Sequence, residues 1–452
     1  MPPLRSLRAP RALRLAAIAL FSLSSRAISE PQFDGRTNAT GPGSAQTPRH
    51  TSSQDIDERV WVEIEAPTKA ERNAAVNAGI SLEEFSPGKA AGFAGPAALA
   101  RAKAANLKIV SSVSLRQRFG ALDFPAQDAV YHNYAEVSKA LERLTKAAPA
   151  IASLFSIGKS VKKRDIHALR LSWERGGDVP GKKPGILFLG THHAREHLST
   201  EVPLLMAQYL VDNRKKPGIE RLLKSRDIYF IPMVNPDGVE QDLLGGRYHL
   251  HRKNMAQNAD GTVGVDLNRN YGWGWGGAGA SDNPGDDTYR GPSAFSEPES
   301  KAVKTFLEKR PNIKILVSYH TYSEMILYPW SGSDLDIEDN DALEAFRIMA
   351  NEMAKMTGYV PMQSSALYLS SGDTCDWAWG ELGIYGFTFE LTPKSMASGG
   401  FYPGPEAVAS TVEKNIRPAL YLIDLADDPL RALKSPAPPA PAPESGAGAN
   451  GQ

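Results

Sequence analysis

The chemistry in this sequence is concentrated in "GILFLGTHHAREHLSTE", residues 185–201, where an apolar run ends in His192, His193, Arg195, Glu196 and His197. Imidazoles and a carboxylate grouped this closely can hold a metal ion or move protons. Two ligand assignments fit the spacing. In one, His193 and Glu196 form an H-x-x-E pair whose remaining ligand comes from elsewhere in the chain. In the other, His193, Glu196 and His197 form H-x-x-E-H, with two histidines one helical turn apart as ligands and the glutamate as base. An isolated His followed three residues later by Glu arises often by chance, but neither packing nor a solvated face explains three histidines just past a buried strand. Ser199 reads as a helix N-cap with Glu201 in the first turn. That places His193 and Glu196 in the preceding loop and disfavours the inverted motif.

The elements that must position these residues follow an α/β rhythm. From Tyr131 the amphipathic helix "YHNYAEVSKALERLTKAAP" precedes the strands "ASLFSIGKS", "IHALRLSW", "GILFLG" and "DIYFIPMV", with the helix "STEVPLLMAQYLVDN" between the last two. "IKILVSYH" (313–320) and "YGFTFEL" (385–391) are later strands, alternating with helices that start near Ser296, Asn340 and Pro405. The expected fold is α/β, with a mixed, largely parallel central sheet flanked by helices. Ligands of open α/β sheets bind at the C-terminal ends of the strands. Three strands end in residues suited to one site: "GILFLG" runs into His193 and Glu196, "IKILVSY" ends at His320, and "YGFTF" ends at Glu390.

Ahead of this lies a smaller unit, 58–120, reading β-α-β-β-α-β if another strand falls within "GKAAGFAG", an α+β ferredoxin-like pattern. It has no His, no Cys and no Gly-rich phosphate loop. Residues 1–29 read as a signal peptide: four arginines precede the apolar run "LAAIALFSL", and Ala27-Ile28-Ser29 is a small-x-small cleavage site. Residues 30–57 read as a flexible linker, and 429–452 as a Pro/Ala/Gly-rich disordered tail. Asn38-Ala39-Thr40 is a glycosylation triplet of a kind common by chance. A secreted or periplasmic protein is expected. Lys+Arg and Asp+Glu both total 51, so no bulk charge draws the 452-residue chain to nucleic acid or to a membrane surface. With Cys375 as its single cysteine, the chain can form no internal disulfide.

"HHAREH", "NPDG" (235–238), "HRKN" (251–254), "GVDLNRNY" (264–271), "YRGPSAFSEPES" (289–300), "SYHTYSEMILYPW" (318–330) and "SSGDTCDWAWGELGIYGFTFEL" (370–391) occur in this order. Together they resemble the zinc metallocarboxypeptidases related to carboxypeptidases A, B and T, over roughly residues 123–428. The resemblance implies a catalytic domain at 121–428 that removes C-terminal residues from peptides and proteins. It implies one zinc ion held by His193, Glu196 and His320, with the fourth position left for water. Glu390 would be the general base and Arg252 would stabilise the oxyanion. Asn268 and Arg269 would hold the substrate's terminal carboxylate, Tyr368 would cover the bound substrate, and Arg195 would contact it on the amino-terminal side of the cut.

The side-chain pocket departs from the simplest members. The position that is apolar in A-type and acidic in B-type enzymes is Cys375, while Asp373 falls where T-type enzymes place an acid. This pattern is closest to bacterial carboxypeptidase T and implies mixed apolar and basic preference. The small unit would be a propeptide, with Arg116 and Arg118 as sites for an activating protease, and the enzyme is expected to be a monomer. Asp282, Asn283, Asp286 and Asp287 sit in an oxygen-rich loop of the kind that can bind Ca2+. Their spacing is not that of an EF-hand, and a solvated acidic turn is the plainer reading. Two other readings share these motifs: a peptidase for cell-wall peptides with γ-linked or D-residues, and a zinc-bearing binding domain without catalysis. Asp373 and the Asn268-Arg269 pair argue against the first, and Glu390, Arg252 and Arg269 against the second.

Overall fold

"VWVEIE" alternates so that each of its two faces meets a different apolar surface. It forms β1 (Val60–Glu65), which is followed by α1 (Lys69–Asn77), β2 (Ser81–Ser86), β3 (Lys89–Ala94), α2 (Pro96–Ala104), β4 (Ile109–Ser114) and the short α3 (Leu115–Phe119). The computed structural model describes residues 57–119, 130–174, 179 and 181–434. The expected leader, Asn38 and the stretch 435–452 lie outside them. The four strands form an antiparallel sheet in the order β2-β3-β1-β4, and β3 occupies the stretch where an extra strand was anticipated. Val62 and Ile64 on one face of β1 pack with Val76, Ile80 and Ala98 in the unit's own core. Trp61 on the other face joins Phe93 against Leu250, Tyr322 and Phe401 of the larger body.

The larger body begins with α4 (Tyr134–Ala147), started by a reciprocal cap between Asn133 and Glu136. It continues through β5 (Ala152–Lys159), β6 (Asp165–Leu171), β7 (Gly185–Leu189), α5 (Leu198–Asp212), α6 (Pro217–Ser225), β8 (Asp227–Ile231), α7 (Pro236–Asp242), α8 (Pro298–Glu308), β9 (Ile313–Thr321) and β10 (Met325–Tyr328). It ends with α9 (Asn340–Thr357), β11 (Val360–Gln363), α10 (Thr374–Leu382), β12 (Tyr385–Leu391) and α11 (Glu406–Leu425). The eight strands of this body form one sheet, ordered β11-β10-β12-β9-β7-β8-β6-β5. Its centre, β12-β9-β7-β8, is parallel; β10, β6 and β5 join antiparallel, and β11 runs parallel to β10.

β7 is buried on both faces, as its unbroken apolar run requires. Ile186 and Phe188 face the core shared with α4, α5, α9 and α11, while Leu187 and Leu189 face the core shared with α8 and α10. Each fully buried Leu, Ile or Phe contributes about 1.5–3 kcal/mol. These contacts fix the strand whose end carries the histidines.

Two boundaries differ from expectation. Ser199 does not cap α5: the helix starts at Leu198 after a tight coil through 191–197, and Ser199 Oγ instead accepts from Thr191 N at 3.0 Å and donates to the Glu196 carbonyl. Residues Pro429–Lys434 form a short 3-10 helix with Ala432 buried, so the folded body runs past 428, where the tail was expected to begin.

Glu201, fully buried in the first turn of α5, accepts hydrogen bonds from His132 N at 2.7 Å and from His132 Nδ1 at 2.8 Å. Burial lowers the His132 pKa, but the Glu201 hydrogen bond and charge, with Glu136 adding to them, raise it above 6.5 on balance. A group whose folded pKa is raised contributes stability that is complete below its unfolded pKa and is lost as pH climbs through the folded one. His132→Ala should therefore flatten the stability-versus-pH curve just above pH 6.5, as measured by denaturant unfolding at several pH values.

Candidate metal centre and active site

The loop after β7 is shaped by close backbone approach. A Cβ on Gly190 would lie 2.1 Å from the Ser199 carbonyl oxygen and 2.6 Å from that of Pro232, so only glycine fits. Thr191 has φ +57°, an unfavourable conformation for a β-branched residue. It is held by hydrogen bonds from Asn235 N to its carbonyl and from its hydroxyl to the Pro232 carbonyl. Asn235, in "NPDG", donates to the carbonyls of His192 and Lys253, and Ala194 N donates to the Arg252 carbonyl, which ties "HHAREH" to "HRKN".

His193, Glu196 and His320 come together at the ends of β7 and β9, all three buried. His193 Nδ1 lies 2.7 Å from Glu196 Oε1, His320 Nδ1 lies 3.0 Å from Glu196 Oε2, and the two Nδ1 atoms are 3.1 Å apart. Ligand atoms on a tetrahedral zinc with bonds of about 2.0–2.1 Å are separated by about 3.3 Å. The three donor atoms lie a few tenths of an ångström closer than that, near enough to one another for a single zinc ion to reach all three, and each imidazole is oriented from behind. His193 Nε2 is 3.1 Å from Asp266 Oδ1, and His320 Nε2 is 3.0 Å from Ser318 Oγ. Burial pushes the Glu196 carboxyl up, but His193 and His320 outweigh it and hold it far below its ordinary value. It is ionised, as a ligand must be.

The other two histidines face elsewhere. His197 Nε2 pairs with Asp242 Oδ2 at 2.8 Å, and His192 is held by Tyr271, Thr374 and Ser318 hydroxyls at 2.9–3.2 Å. Among the described residues, His193, Glu196 and His320 are the one group of His, Cys, Asp and Glu with metal-site spacing.

Glu390 stands beside His320 in the parallel register of β12 and β9, so both side chains leave the same face of the sheet. Burial and the Glu196 and Glu83 charges push its carboxyl well above the usual range. Arg252 presents Nε and Nη2 to Asp266 Oδ2 at 3.0 and 2.9 Å and keeps Nη1 3.9 Å from Glu196. Asn268 and Arg269 lie in the short helical turn Leu267–Arg269, capped by Asp266. Asn268 Oδ1 accepts from Thr374, and Arg269 donates to the carbonyls of Gly279 and Asn268. Glu390, Arg252, Asn268, Arg269, Tyr368 and Asp373 all line one cavity with the three candidate ligands.

That cavity is roofed by β2 of the small unit, which contributes Leu82, Glu83 and Phe85 to its lining. The unit read as free of chemistry thus places a carboxylate inside the cleft. Phe85 stacks on Tyr368 with centroids 5.9 Å apart, and Arg72 and Asn73 of α1 bind the Leu367 carbonyl and Leu369 N. Arg195 is fully buried between Glu83 at 2.6 Å and Asp287 at 3.0 Å. Asp286 pairs with Arg101 and Asp287 also with Arg59, so two of the three carboxylates of the acidic loop are turned to guanidinium groups, while Asp282 is exposed. Asp373 accepts from Asp376 N as the cap of α10 while lining the cavity. Cys375 is not among the lining residues; its Sγ sits behind the wall, 3.3 Å from the Thr388 hydroxyl, and packs in the core.

Asp266 and Asp242, which orient these groups, were not singled out from the sequence. Asp266 stands within "GVDLNRNY" beside two residues that were, whereas nothing near Asp242 in the sequence marks it.

The zinc carboxypeptidase family profile matches residues 137–417, more than half of the chain. A zinc carboxypeptidase of Saccharothrix mutabilis subsp. capreolus is 34% identical over 305 residues, covering 66% of this chain and 69% of that one. Carboxypeptidase A2 of Rattus norvegicus is 32% identical over 306 residues, covering 66% and 70%. The crystal structure of thrombin activatable fibrinolysis inhibitor superposes with a TM-score of 0.65 at 25% identity, over 82% of this chain and 99% of that one. That share exceeds what residues 130–434 supply, so the likeness takes in residues ahead of 130. With its mixed sheet flanked by helices and its buried His-Glu-His group, the chain belongs to the zinc carboxypeptidase family, the metallocarboxypeptidase hydrolases.

Proposed function

We propose that the protein is an exported proenzyme whose processed form removes single residues from the C-termini of peptides, with His193, Glu196 and His320 as zinc ligands and Glu390 as general base. The observation that carries this reading is the convergence of the three donor atoms, Glu390 and the Asn268-Arg269 turn on one cavity. Bound there, a zinc ion would polarise the scissile carbonyl and acidify the attacking water. Arg269 and the Asn268 amide hold the terminal carboxylate, which limits cleavage to the last peptide bond. Glu390 takes the proton from water and returns it to the leaving amine, a role suited to a carboxyl whose pKa is raised. Arg252, kept charged by Asp266 and Glu196 despite its burial, faces the developing oxyanion. Tyr368 closes over the substrate once Phe85 has left.

The side-chain pocket accepts apolar residues and pairs Lys or Arg with Asp373, with the neutral Cys375 behind its wall, a T-type pattern. Residues 1–29 direct export, and the unit 58–120 is a propeptide whose β2 blocks the cleft. An activating protease cuts near Arg116 or Arg118; the stretch after α3, 120–129, lies outside the described residues.

Glu390→Gln in the processed enzyme should lower kcat about 10²–10⁴-fold with KM within a few-fold, read on peptides that differ only in their last residue. Full activity in this variant would sink the assignment. The unprocessed chain should be nearly inactive, and Glu83→Ala should raise its residual peptidase activity about tenfold or more, because truncating one partner of a buried charged pair costs about 2–5 kcal/mol. No rise in the variant would remove Glu83 from the block.

A further inference from the structure

Of the three histidines after β7, His193 joins the candidate ligand set and His197 pairs with Asp242, which leaves His192. It is fully buried, and its ring stacks on His320 with centroids 5.6 Å apart and planes 10° apart. Its two nitrogens face hydroxyls: Nδ1 lies 3.2 Å from Ser318 Oγ, and Nε2 lies 3.1 Å from Thr374 Oγ1 and 2.9 Å from the Tyr271 hydroxyl. Which nitrogen carries the proton follows from the far end of this row. Thr374 N can only donate, and it meets Asn268 Oδ1 at 3.0 Å, so that atom is the amide oxygen. The Thr374 hydroxyl, 2.8 Å from the same oxygen, must give its one proton to it. Toward His192 that hydroxyl can then only accept, so Nε2 bears the hydrogen; the other tautomer would set a nitrogen lone pair against oxygen lone pairs at 3.1 Å. Nδ1 is left bare and takes the Ser318 proton, and Ser318 Oγ in turn accepts from His320 Nε2 at 3.0 Å. His320 therefore keeps its lone pair on Nδ1, the atom that faces Glu196 and His193.

We propose that His192, as its Nε2–H tautomer, is a positioning residue that couples the metal centre to the seat of the substrate's terminal carboxylate. The row His320, Ser318, His192, Thr374, Asn268 donates in one direction from end to end. At one end it turns the His320 lone pair toward the metal position. At the other it holds the Asn268 amide oxygen, so the amide NH2 is the group left for the carboxylate. Each hydroxyl and imidazole between both donates and accepts, so the bonds polarise one another in the same sense. An apolar side chain at 192 would leave the buried Ser318 and Thr374 hydroxyls free to turn. Ser318 could then donate to His320 Nε2, which favours the tautomer that cannot bind metal through Nδ1. A glutamine amide accepts through its oxygen and donates through its nitrogen, so it can replace the imidazole in part. The inference rests on the carboxypeptidase reading and adds to it a residue that acts on both ends of the site through others.

Neutron diffraction from crystals of the intact wild-type chain reads the tautomer directly: a deuteron is expected on His192 Nε2 and none on Nδ1. A deuteron on Nδ1 would overturn the proposal, and this arm needs no variant. In solution, His192→Met should weaken zinc binding about 10–100-fold, measured on the intact chain by competition with a chelator. The same substitution in the processed enzyme, assayed with zinc in excess, should raise KM for a peptide about tenfold and leave kcat within a few-fold. His192→Gln should recover most of both losses. Zinc affinity and KM within about twofold of the wild type in His192→Met, or a change at one end alone, would overturn the coupling and leave the carboxypeptidase reading standing. Losses in His192→Gln as large as those in His192→Met would do the same, because shape and not hydrogen bonding would then be at work. A wild-type chain that holds no zinc and, once processed, cleaves no peptide would overturn both.

Discussion

The cleft depends on one buried carboxylate, that of Asp266. Its Oδ1 faces His193 Nε2 at 3.1 Å and accepts from Asn268 N at 2.9 Å, while Oδ2 accepts both Nε and Nη2 of Arg252. A candidate metal ligand, the turn that would receive the substrate's terminus and the candidate oxyanion group are thus set by a single anion. Burial disfavours that charge, yet Arg252, His193 and Arg269 hold it far below the ordinary carboxylate pKa. Asp266 and Arg252 compensate each other's burial, and removal of either would leave the other charge buried and uncompensated.

The same balance extends to the small unit. Glu83, Arg59 and Arg101 complement Arg195, Asp287 and Asp286 across the boundary, around an apolar patch of Trp61, Phe93, Leu250 and Phe401. Two roles meet in β2: it completes a sheet within its own unit, and it carries Glu83 and Phe85 into the cleft. Ion pairs across this boundary weaken with salt, and the proposed cut in the chain would make the unit's affinity depend on concentration as well.

Much of this was legible in the residues. Unbroken apolar runs such as "GILFL" and "DIYFI" identified central strands, and the polar residues at strand ends pointed to the candidate site, because a parallel sheet gathers those ends on one edge. The edge strands β10 and β11 were missed: four residues each, the second containing Pro361, they carry little periodicity. Ser199 misled as a cap because its hydroxyl serves the loop before the helix, a tertiary use that local pattern does not reveal. The acidic loop 282–287 reads as a solvated turn, yet Asp287 and Asp286 pair with Arg59 and Arg101, which lie 228 and 185 residues away in sequence. Long-range charge pairing leaves no local signature.

The metal centre remains the central claim, and metal content tests it most directly. Zinc per chain, measured after dialysis of purified protein, should be about one for the wild type. His197→Ala should keep it, because that ring serves Asp242, while His320→Ala should lose it. Zinc retained without His320 and lost without His197 would contradict the account and restore H-x-x-E-H as the ligand set.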